Sequence, residues 1–181
     1  MEIIFAGKGP VGIGCLALLE KHGLSYSAMR EDEQVPPCDL LLSVHWPRIF
    51  TKEELDRCKI GALNLHNSFL PWNRGADACA WAIIDQTPHG ATVHWIDKGI
   101  DSGDIFLQAQ MVVPPDCTTD SLYKLTAHHE IEVFDQALQL IKRGRFPAVK
   151  QVGAGSYHRK SDFERILRAA TTNKTKVLRE A

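Results

Sequence analysis

The stretch Gly61–Gly75 reads GALNLHNSFLPWNRG and organises the rest of the chain. Its first residues form a short, bounded apolar run, which predicts a β-strand. Asn64 and His66 are two positions apart in this run, so their side chains lie on the same face of the strand. Pro71 and Gly75 then break the chain into a loop. An amide beside an imidazole is a combination that can stabilise a developing oxyanion and handle a proton.

A second polar cluster occurs in residues 96–105, which read IDKGIDSGDI. Its carboxylates are Asp97, Asp101 and Asp104, and one of them could orient the imidazole of His66. Asn-x-His alone is a weak signal, and the alternative is that both side chains only satisfy backbone groups at a strand end. Asn-x-His-x-Ser-x-x-Pro followed by Asp-Ser-Gly-Asp is a much more specific pattern.

The residues before Gly61 alternate between strand and helix patterns, which predicts a parallel, doubly wound α/β sheet. Ligands of such sheets bind at the carboxyl ends of the strands, where Asn64 and His66 lie. Thr51 and Glu54 form a capping-box pattern at the start of a short helix. The predicted elements are strands at Glu2–Ala6, Tyr26–Arg30 and Asp39–His45, and helices at Val11–His22 and Lys52–Cys58.

The second half of the chain predicts an antiparallel addition to the sheet and a long helix. Two extended runs joined by the KGIDSGD turn read as an antiparallel pair. The remaining pattern predicts a single domain over residues 1–181, with a polar tail over 171–181. Its elements are a helix at Asp77–Asp85, strands at Thr92–Asp97 and Ile105–Val113, a helix from about Cys117 to Ile141, a short strand at Ala148–Val152 and a last helix at Asp162–Ala170.

Composition excludes several classes of protein. The 181 residues carry a formal net charge of −1, which argues against a strong non-specific nucleic-acid binder. No apolar run approaches the ~20 residues that cross a bilayer, and the start MEIIFAGKG does not resemble a signal peptide. The five cysteines lack a CxxC spacing, so we expect free thiols in a reducing cytoplasm and no metal site.

The segments NLHNSFLPWNRG and GATVHWIDKGIDSGDI resemble the formyltetrahydrofolate-dependent formyltransferases. This family includes methionyl-tRNA formyltransferase, glycinamide ribonucleotide transformylase and the sugar N-formyltransferases. The resemblance covers roughly residues 1–115 well and the remainder of the chain loosely. It implies a Rossmann-like formyltransferase fold, a mostly parallel twisted sheet with an antiparallel addition and helices on both faces. It also implies an enzyme that uses 10-formyltetrahydrofolate as its formyl donor and needs no metal.

The resemblance assigns roles to three residues that match the Asn, His and Asp of the family motif. Asn64 would donate a hydrogen bond to the oxyanion of the tetrahedral intermediate. His66 would donate to the oxyanion or carry the proton of the amine, and Asp101 would hold the imidazole and favour its charged form. His94 matches a position near the substrate, although a histidine on an apolar strand can equally be a satisfied core residue.

The resemblance places the folate near the segment HWPRIF. Arg48, Ile49 and Phe50 match the family's pterin-binding loop, and Leu55 and Asp97 would close the pocket. A flat pteridine suits apolar walls with a few hydrogen bonds. The alternative is that Ile49 and Phe50 are ordinary core residues.

The glycine turn near the N-terminus has two interpretations. Gly7–Gly12 fits G-x-G-x-x-G literally, which is a weak signal for NAD(P), and no second nucleotide-binding half follows. In the family this turn lies near the substrate, so Lys8 and the backbone of Gly9 would meet a substrate phosphate. The alternative for Lys8 is a surface lysine over a structural turn. Arg74, within the LPWNRG motif, is a further expected substrate contact.

The acceptor is the least determined feature. The segments LPWNRGAD and SYHRKSDF are similar to the sugar N-formyltransferases, so we expect a dTDP- or UDP-linked amino-dideoxy sugar, with a pseudaminic acid precursor among the candidates. An enzyme that acts on transfer RNA would be expected to have a basic surface and an added domain. A glycinamide ribonucleotide transformylase would have a different phosphate-binding turn. A formyltetrahydrofolate hydrolase would have an N-terminal regulatory domain. A folate- or nucleotide-binding module without turnover remains the alternative outside enzymes. We expect small-molecule partners and neither nucleic acid nor membrane, with a homodimer left open.

Overall fold

A six-stranded mixed sheet forms the centre of the protein in the computed structural model, which describes residues 1–166. The strand order is β2-β1-β3-β4-β6-β7. The predicted residues 167–170 of the last helix and the 171–181 tail lie outside the described residues. The strands of this sheet are β1 Ile3–Gly7, β2 Tyr26–Ala28, β3 Cys38–Val44, β4 Cys58–His66, β6 His89–Trp95 and β7 Ile105–Met111.

The junction between β4 and β6 marks where the sheet changes direction. The first four strands are parallel, whereas β6 is antiparallel to β4 and β7 is antiparallel to β6. Asn64 is opposite Ser43 on β3 and opposite His94 on β6. The register therefore brings three polar residues to one level at the carboxyl end of β4. The predicted mostly parallel sheet with an antiparallel addition is confirmed.

Helices cover the sheet because the strands alternate apolar residues between its two faces. The helices around the sheet are α1 Gly9–Lys21, α2 Lys52–Leu55, α3 Ala78–Ile84 and α4 Thr119–Lys142, and residues 160–166 are also helical. On one face, residues of β1, β3 and β4 pack against Cys15 and Leu19 of α1 and against α4. On the other face, Met29, Val35 and Phe50 pack over Ile4 and its neighbours. Burial of these side chains stabilises the sheet on both faces.

Several predicted boundaries are wrong. Helix α2 ends at Leu55 and Cys58 already opens β4, because the chain turns tightly after the Thr51–Glu54 capping box. Strand β6 starts at His89, earlier than predicted. The predicted strand over 148–152 is only an isolated bridge between Val149 and Ile105.

A small second sheet was not predicted. Strand β5 Arg74–Gly75 pairs in parallel with β8 Tyr157–His158. Two-residue strands carry no periodicity, so the sequence offered no signal for this pairing. It fastens the loop after β4 to a segment more than 80 residues further along the chain.

All five cysteines are free, as the sequence predicts. Cys15, Cys38, Cys58 and Cys79 are buried and Cys117 is half-buried. Among the helices of residues 1–166, none combines the length and apolar character needed to cross a membrane.

Candidate active site

Asn64 has its amide orientation fixed by neighbours on both adjacent strands. Its Oδ1 accepts a hydrogen bond of 2.9 Å from the hydroxyl of Ser43. Its Nδ2 lies 3.3 Å from Nε2 of His94. Because Oδ1 is occupied by a donor, the NH2 group is directed towards His94 and the cavities beside it. Asn64 can therefore present an N–H donor to a ligand oxygen.

His66 ends strand β4 and is buried. Its Nε2 lies 3.0 Å from the carbonyl oxygen of Asn73, which requires this nitrogen to carry a proton. Its Nδ1 then faces the carboxylate of Asp101, 3.7 Å from Oδ2. In the neutral form of the ring, Nδ1 can accept a proton, and the carboxylate beside it stabilises the imidazolium that then forms.

Asp101 lies between two imidazoles. Its Oδ1 is 3.3 Å from Nε2 of His94, and its Oδ2 accepts a 2.9 Å hydrogen bond from the N–H of Gly75. Burial by itself would raise the pKa of Asp101, but the charge of His66, the contact with His94 and the Gly75 N–H together hold that pKa well below its usual range. The carboxylate is therefore charged although it is largely buried.

His94 belongs to the same constellation. Its Nδ1 donates to the carbonyl of Trp95 at 2.9 Å, so Nε2 is the nitrogen that faces Asn64 and Asp101. A neutral ring accepts from the Asn64 amide, whereas a protonated ring donates to Asp101. The structure thus places four polar side chains, Asn64, His66, His94 and Asp101, in one connected group.

The turn that carries Asp101 is held in place by groups that sequence reasoning did not identify. A side chain at Gly103 would approach the carbonyl oxygen of Trp95 to 1.8 Å, so only glycine lets the turn close against β6. The amide of Gln151 donates to the carbonyls of Asp101 and Gly103, both at 2.8 Å. The D-S-G-D pattern signals the glycine, whereas nothing local signals Gln151.

The loop after β4 supplies the two backbone groups that hold His66 and Asp101, the Asn73 carbonyl and the Gly75 N–H. This loop is tied to Ser156, whose hydroxyl accepts from the Asn73 N–H at 2.8 Å and donates to Asn73 Oδ1 at 2.9 Å. The Arg74 N–H donates to the Ser156 carbonyl at 3.0 Å. Sequence reasoning missed Asn73 and Ser156, which are far apart in the chain.

A large cavity of about 820 Å³ opens on one side of the group. All five residues predicted to bind folate line it, and its wall includes the apolar side chains of Trp46, Ile96 and Ile100. The predicted residues are Arg48, Ile49, Phe50, Leu55 and Asp97. The volume and the apolar walls suit a flat heterocycle.

Within this wall the predicted residues differ in their roles. Ile49 is 74% exposed, whereas Phe50 is buried in the core. Arg48 is committed to an ion pair, with both terminal nitrogens within 2.9 Å of Glu54. Asp97 accepts from Gly99 and Ser102 inside its own turn. Among the five predicted residues, Ile49 is thus the apolar side chain most accessible to a ligand in the cavity. Arg48 and Asp97 chiefly shape the wall.

A smaller cavity of about 280 Å³ lies beside the large one. Its wall includes His45, His66, Asn67 and Tyr123. Trp46, Asn64 and Asp101 line both cavities and so separate them. A molecule in either cavity can approach Asn64 and Asp101, which makes this wall the place where two substrates could meet.

Three predicted substrate contacts lie elsewhere. Lys8 forms an exposed ion pair with Glu31, and Arg74 lies 3.5 Å from the carbonyls of Ala154 and Ser156. Gly9 starts α1 with a positive φ of 68°. None of the three lines either cavity within residues 1–166. In the same residues no cluster of three or more His, Cys, Asp or Glu side chains could hold a metal.

Comparisons with known proteins agree on one family. The formyl transferase family model matches residues 11–138. Methionyl-tRNA formyltransferase from Methylacidiphilum infernorum is 36% identical over 131 residues, which are 71% of this chain and 41% of that protein. Cytosolic 10-formyltetrahydrofolate dehydrogenase from Xenopus laevis is 38% identical over 106 residues, 58% of this chain and 12% of that protein. The chain thus spans about two fifths of the first of these relatives.

Solved structures agree with the fold. Formyltransferase PseJ from Anoxybacillus kamchatkensis, solved with UDP-4,6-dideoxy-4-formamido-L-AltNAc and tetrahydrofolate, has a TM-score of 0.82 and 28% identity, covering 93% of this chain and 90% of that one. A 4-N formyltransferase from Francisella tularensis has a TM-score of 0.78 at 20% identity, covering 91% and 78%. The resemblance seen in the sequence is therefore confirmed, and the chain belongs to the formyl transferase family.

Proposed function

We propose that the protein is an N-formyltransferase that moves the formyl group of 10-formyltetrahydrofolate to the primary amine of a nucleotide-linked amino-dideoxy sugar. The observation that carries this proposal is the wall of Asn64 and Asp101 shared by the two cavities. The larger, apolar cavity suits the folate and the smaller, polar one suits the part of the acceptor that bears the amine. The likeness to PseJ supports a sugar acceptor.

In the proposed reaction each of these side chains has one step. The amine nitrogen attacks the formyl carbon, and the carbonyl electron pair moves onto oxygen, where the NH2 group of Asn64 stabilises it. Nδ1 of His66 takes a proton from the attacking nitrogen, because Nε2 is already bonded to Asn73. Asp101 stabilises the resulting imidazolium. Collapse of the intermediate breaks the bond to N10 of the folate, which receives the proton.

The test is a mass-spectrometric assay with 10-formyltetrahydrofolate and a panel of acceptors. The panel contains UDP- and dTDP-linked 4-amino-4,6-dideoxy sugars, the matching 3-amino sugars, glycinamide ribonucleotide and methionyl-tRNA. We expect one formyl group to be gained by an amino sugar nucleotide together with release of tetrahydrofolate. Tetrahydrofolate and formate without a formylated acceptor would indicate a hydrolase and overturn the proposal.

Methionyl-tRNA is the second candidate acceptor, because the relatives from Methylacidiphilum infernorum and Acidobacterium capsulatum are both methionyl-tRNA formyltransferases at 36% identity. The net charge of −1 opposes it, since a polyanion would favour a basic surface. Formylation of methionyl-tRNA in preference to every sugar nucleotide would replace the sugar assignment.

A further inference from the structure

A second histidine–carboxylate pair lies beside the site and plays no part in the chemistry above. His45 follows the last residue of β3, and its Nε2 is 2.7 Å from Oε1 of Glu130 in the middle of α4. His45 has a φ of 51°, a conformation that non-glycine residues adopt at a cost. The left-handed backbone of His45 places its imidazole against the buried carboxyl group of Glu130, which indicates that this contact has a specific role.

The pair joins an imidazole to a buried carboxyl group through a short contact. The side chain of Glu130 is only 1% exposed, and a buried carboxylate needs a close cationic partner. Burial alone would lower the pKa of His45, but the hydrogen bond and charge of Glu130 outweigh it and raise that pKa above its ordinary value. Nε2–H donates to Glu130 at 2.7 Å, and in the imidazolium form of His45 Nδ1–H is a second donor.

Nδ1 of His45 is accessible from the small cavity. The side chain of His45 is 21% exposed and lines that cavity together with Tyr123, whose ring centre is 6.4 Å from the imidazole. Within residues 1–166 no group forms a hydrogen bond with Nδ1 of His45. Lys8, the cation expected from the sequence to meet the acceptor, does not line this cavity.

We propose that His45, held by Glu130, is a specificity-determining residue that binds an oxygen atom of the amine acceptor through Nδ1–H. The inference rests on the proposed function and names the residue of the small cavity that recognises the acceptor. A charge-assisted donor is stronger than a neutral one and favours a phosphoryl or hydroxyl oxygen. His45 acts on binding of the acceptor and not on proton transfer. The reason is that its Nε2 proton is shared with Glu130 and not with Asn64 or Asp101.

The test compares His45→Asn and Glu130→Gln with wild type. Asparagine tolerates the positive φ and removes the charge. Matched controls are His128→Gln and Glu132→Gln, exposed residues of α4 that face neither cavity. For His45→Asn we expect the acceptor KM to rise about 10- to 100-fold with the donor KM and kcat nearly unchanged. Glu130→Gln should change the acceptor KM in the same direction, and a thermal melt of each variant reports folding.

Competition by UDP identifies the oxygen. A rise in the UDP inhibition constant of His45→Asn alongside the acceptor KM assigns a phosphoryl oxygen, and an unchanged constant assigns a sugar oxygen. An acceptor KM equal to that of wild type in a folded His45→Asn, or a loss confined to kcat, would overturn the subsite and leave the proposed function standing. Wild-type protein that formylates no acceptor would overturn both.

Discussion

At the scale of single residues, the charge of Asp101 depends on three neighbours that are not adjacent to it in the sequence. The imidazoles of His66 and His94 and the N–H of Gly75 surround the two carboxylate oxygens. Each favours the ionised form and together they overcome the effect of burial. A charged carboxylate next to Nδ1 of His66 stabilises an imidazolium there, which is what the proposed role of His66 as proton acceptor requires.

The first prediction is that His66 and Asp101 act as one unit. His66→Ala should reduce kcat by about 10²–10³-fold or more, because the proton acceptor is lost. Asp101→Asn keeps the shape and loses the charge, so kcat should also fall steeply. The double variant should be little worse than His66→Ala in single-turnover measurements. Losses that multiply would show that the two residues act separately, and folate binding by calorimetry should change far less than turnover.

The second prediction concerns Glu54, which is 2% exposed and pairs with Arg48. The Arg48 hydrogen bonds, opposed by burial and helped by the N–H groups of Thr51 and Val35, lower the pKa of Glu54 to about 2. Because the folded-state pKa is below the ordinary value, the stabilisation is present above about pH 4.5 and is lost as pH falls towards 2. Glu54→Gln should destabilise the protein by about 2–4 kcal/mol at pH 7 in urea unfolding.

Urea unfolding at lower pH tests the direction in which the stabilisation by Glu54 changes with pH. The stability difference between wild type and Glu54→Gln should shrink between pH 5 and pH 3, because the wild-type carboxylate is protonated on unfolding there. Glu53→Gln, an exposed neighbour in the same helix, should differ little from wild type at either pH. A difference that stays constant with pH would mean that the Glu54 charge does not stabilise the fold.

At the scale of the elements, local pattern predicted the central strands and the long helix but not what holds the site. Asn64 and His66 share a strand face because period two puts them there, and D-S-G-D marks the turn that bears Asp101. Register across β3 and β6, which brings Ser43 and His94 to Asn64, depends on tertiary packing. The small sheet of β5 and β8 has no sequence signal, so its link to the site was not predicted.

The third prediction concerns that link. Ser156 bonds Asn73, whose carbonyl accepts from Nε2 of His66. Ser156→Ala should lower kcat about 10–100-fold with little change in either KM, because the imidazole is no longer held in position. The pH profile of kcat should shift as well. Ser161→Ala, exposed in the following helical turn, is the matched control. Wild-type kcat in a folded Ser156→Ala would show that the small sheet only supports the fold.

At the scale of the whole molecule, two cavities lie on either side of the wall formed by Trp46, Asn64 and Asp101. The large cavity lies over the segment after β3 and the turn after β6, and the small cavity lies between β3, β4 and α4. Under the proposed function, donor and acceptor approach this wall from different sides, and only Trp46, Asn64 and Asp101 among the described residues line both cavities. Changes in one cavity away from that wall should affect one substrate alone, since distant sites behave nearly independently.

The last prediction tests this division. Ile49 is 74% exposed and lines the large cavity, whereas Ile13 on α1 is 73% exposed and lines neither. Ile49→Asp should raise the donor KM about tenfold or more, because an apolar contact with the flat heterocycle is replaced by a charge. The acceptor KM should stay within about twofold of wild type. Ile13→Asp should leave both constants unchanged, which removes surface charge and solubility as explanations.

Together with His45→Asn this forms a double dissociation: one variant raises only the donor KM and the other only the acceptor KM. Equal rises in both constants for Ile49→Asp would mean that the two cavities work as a single site.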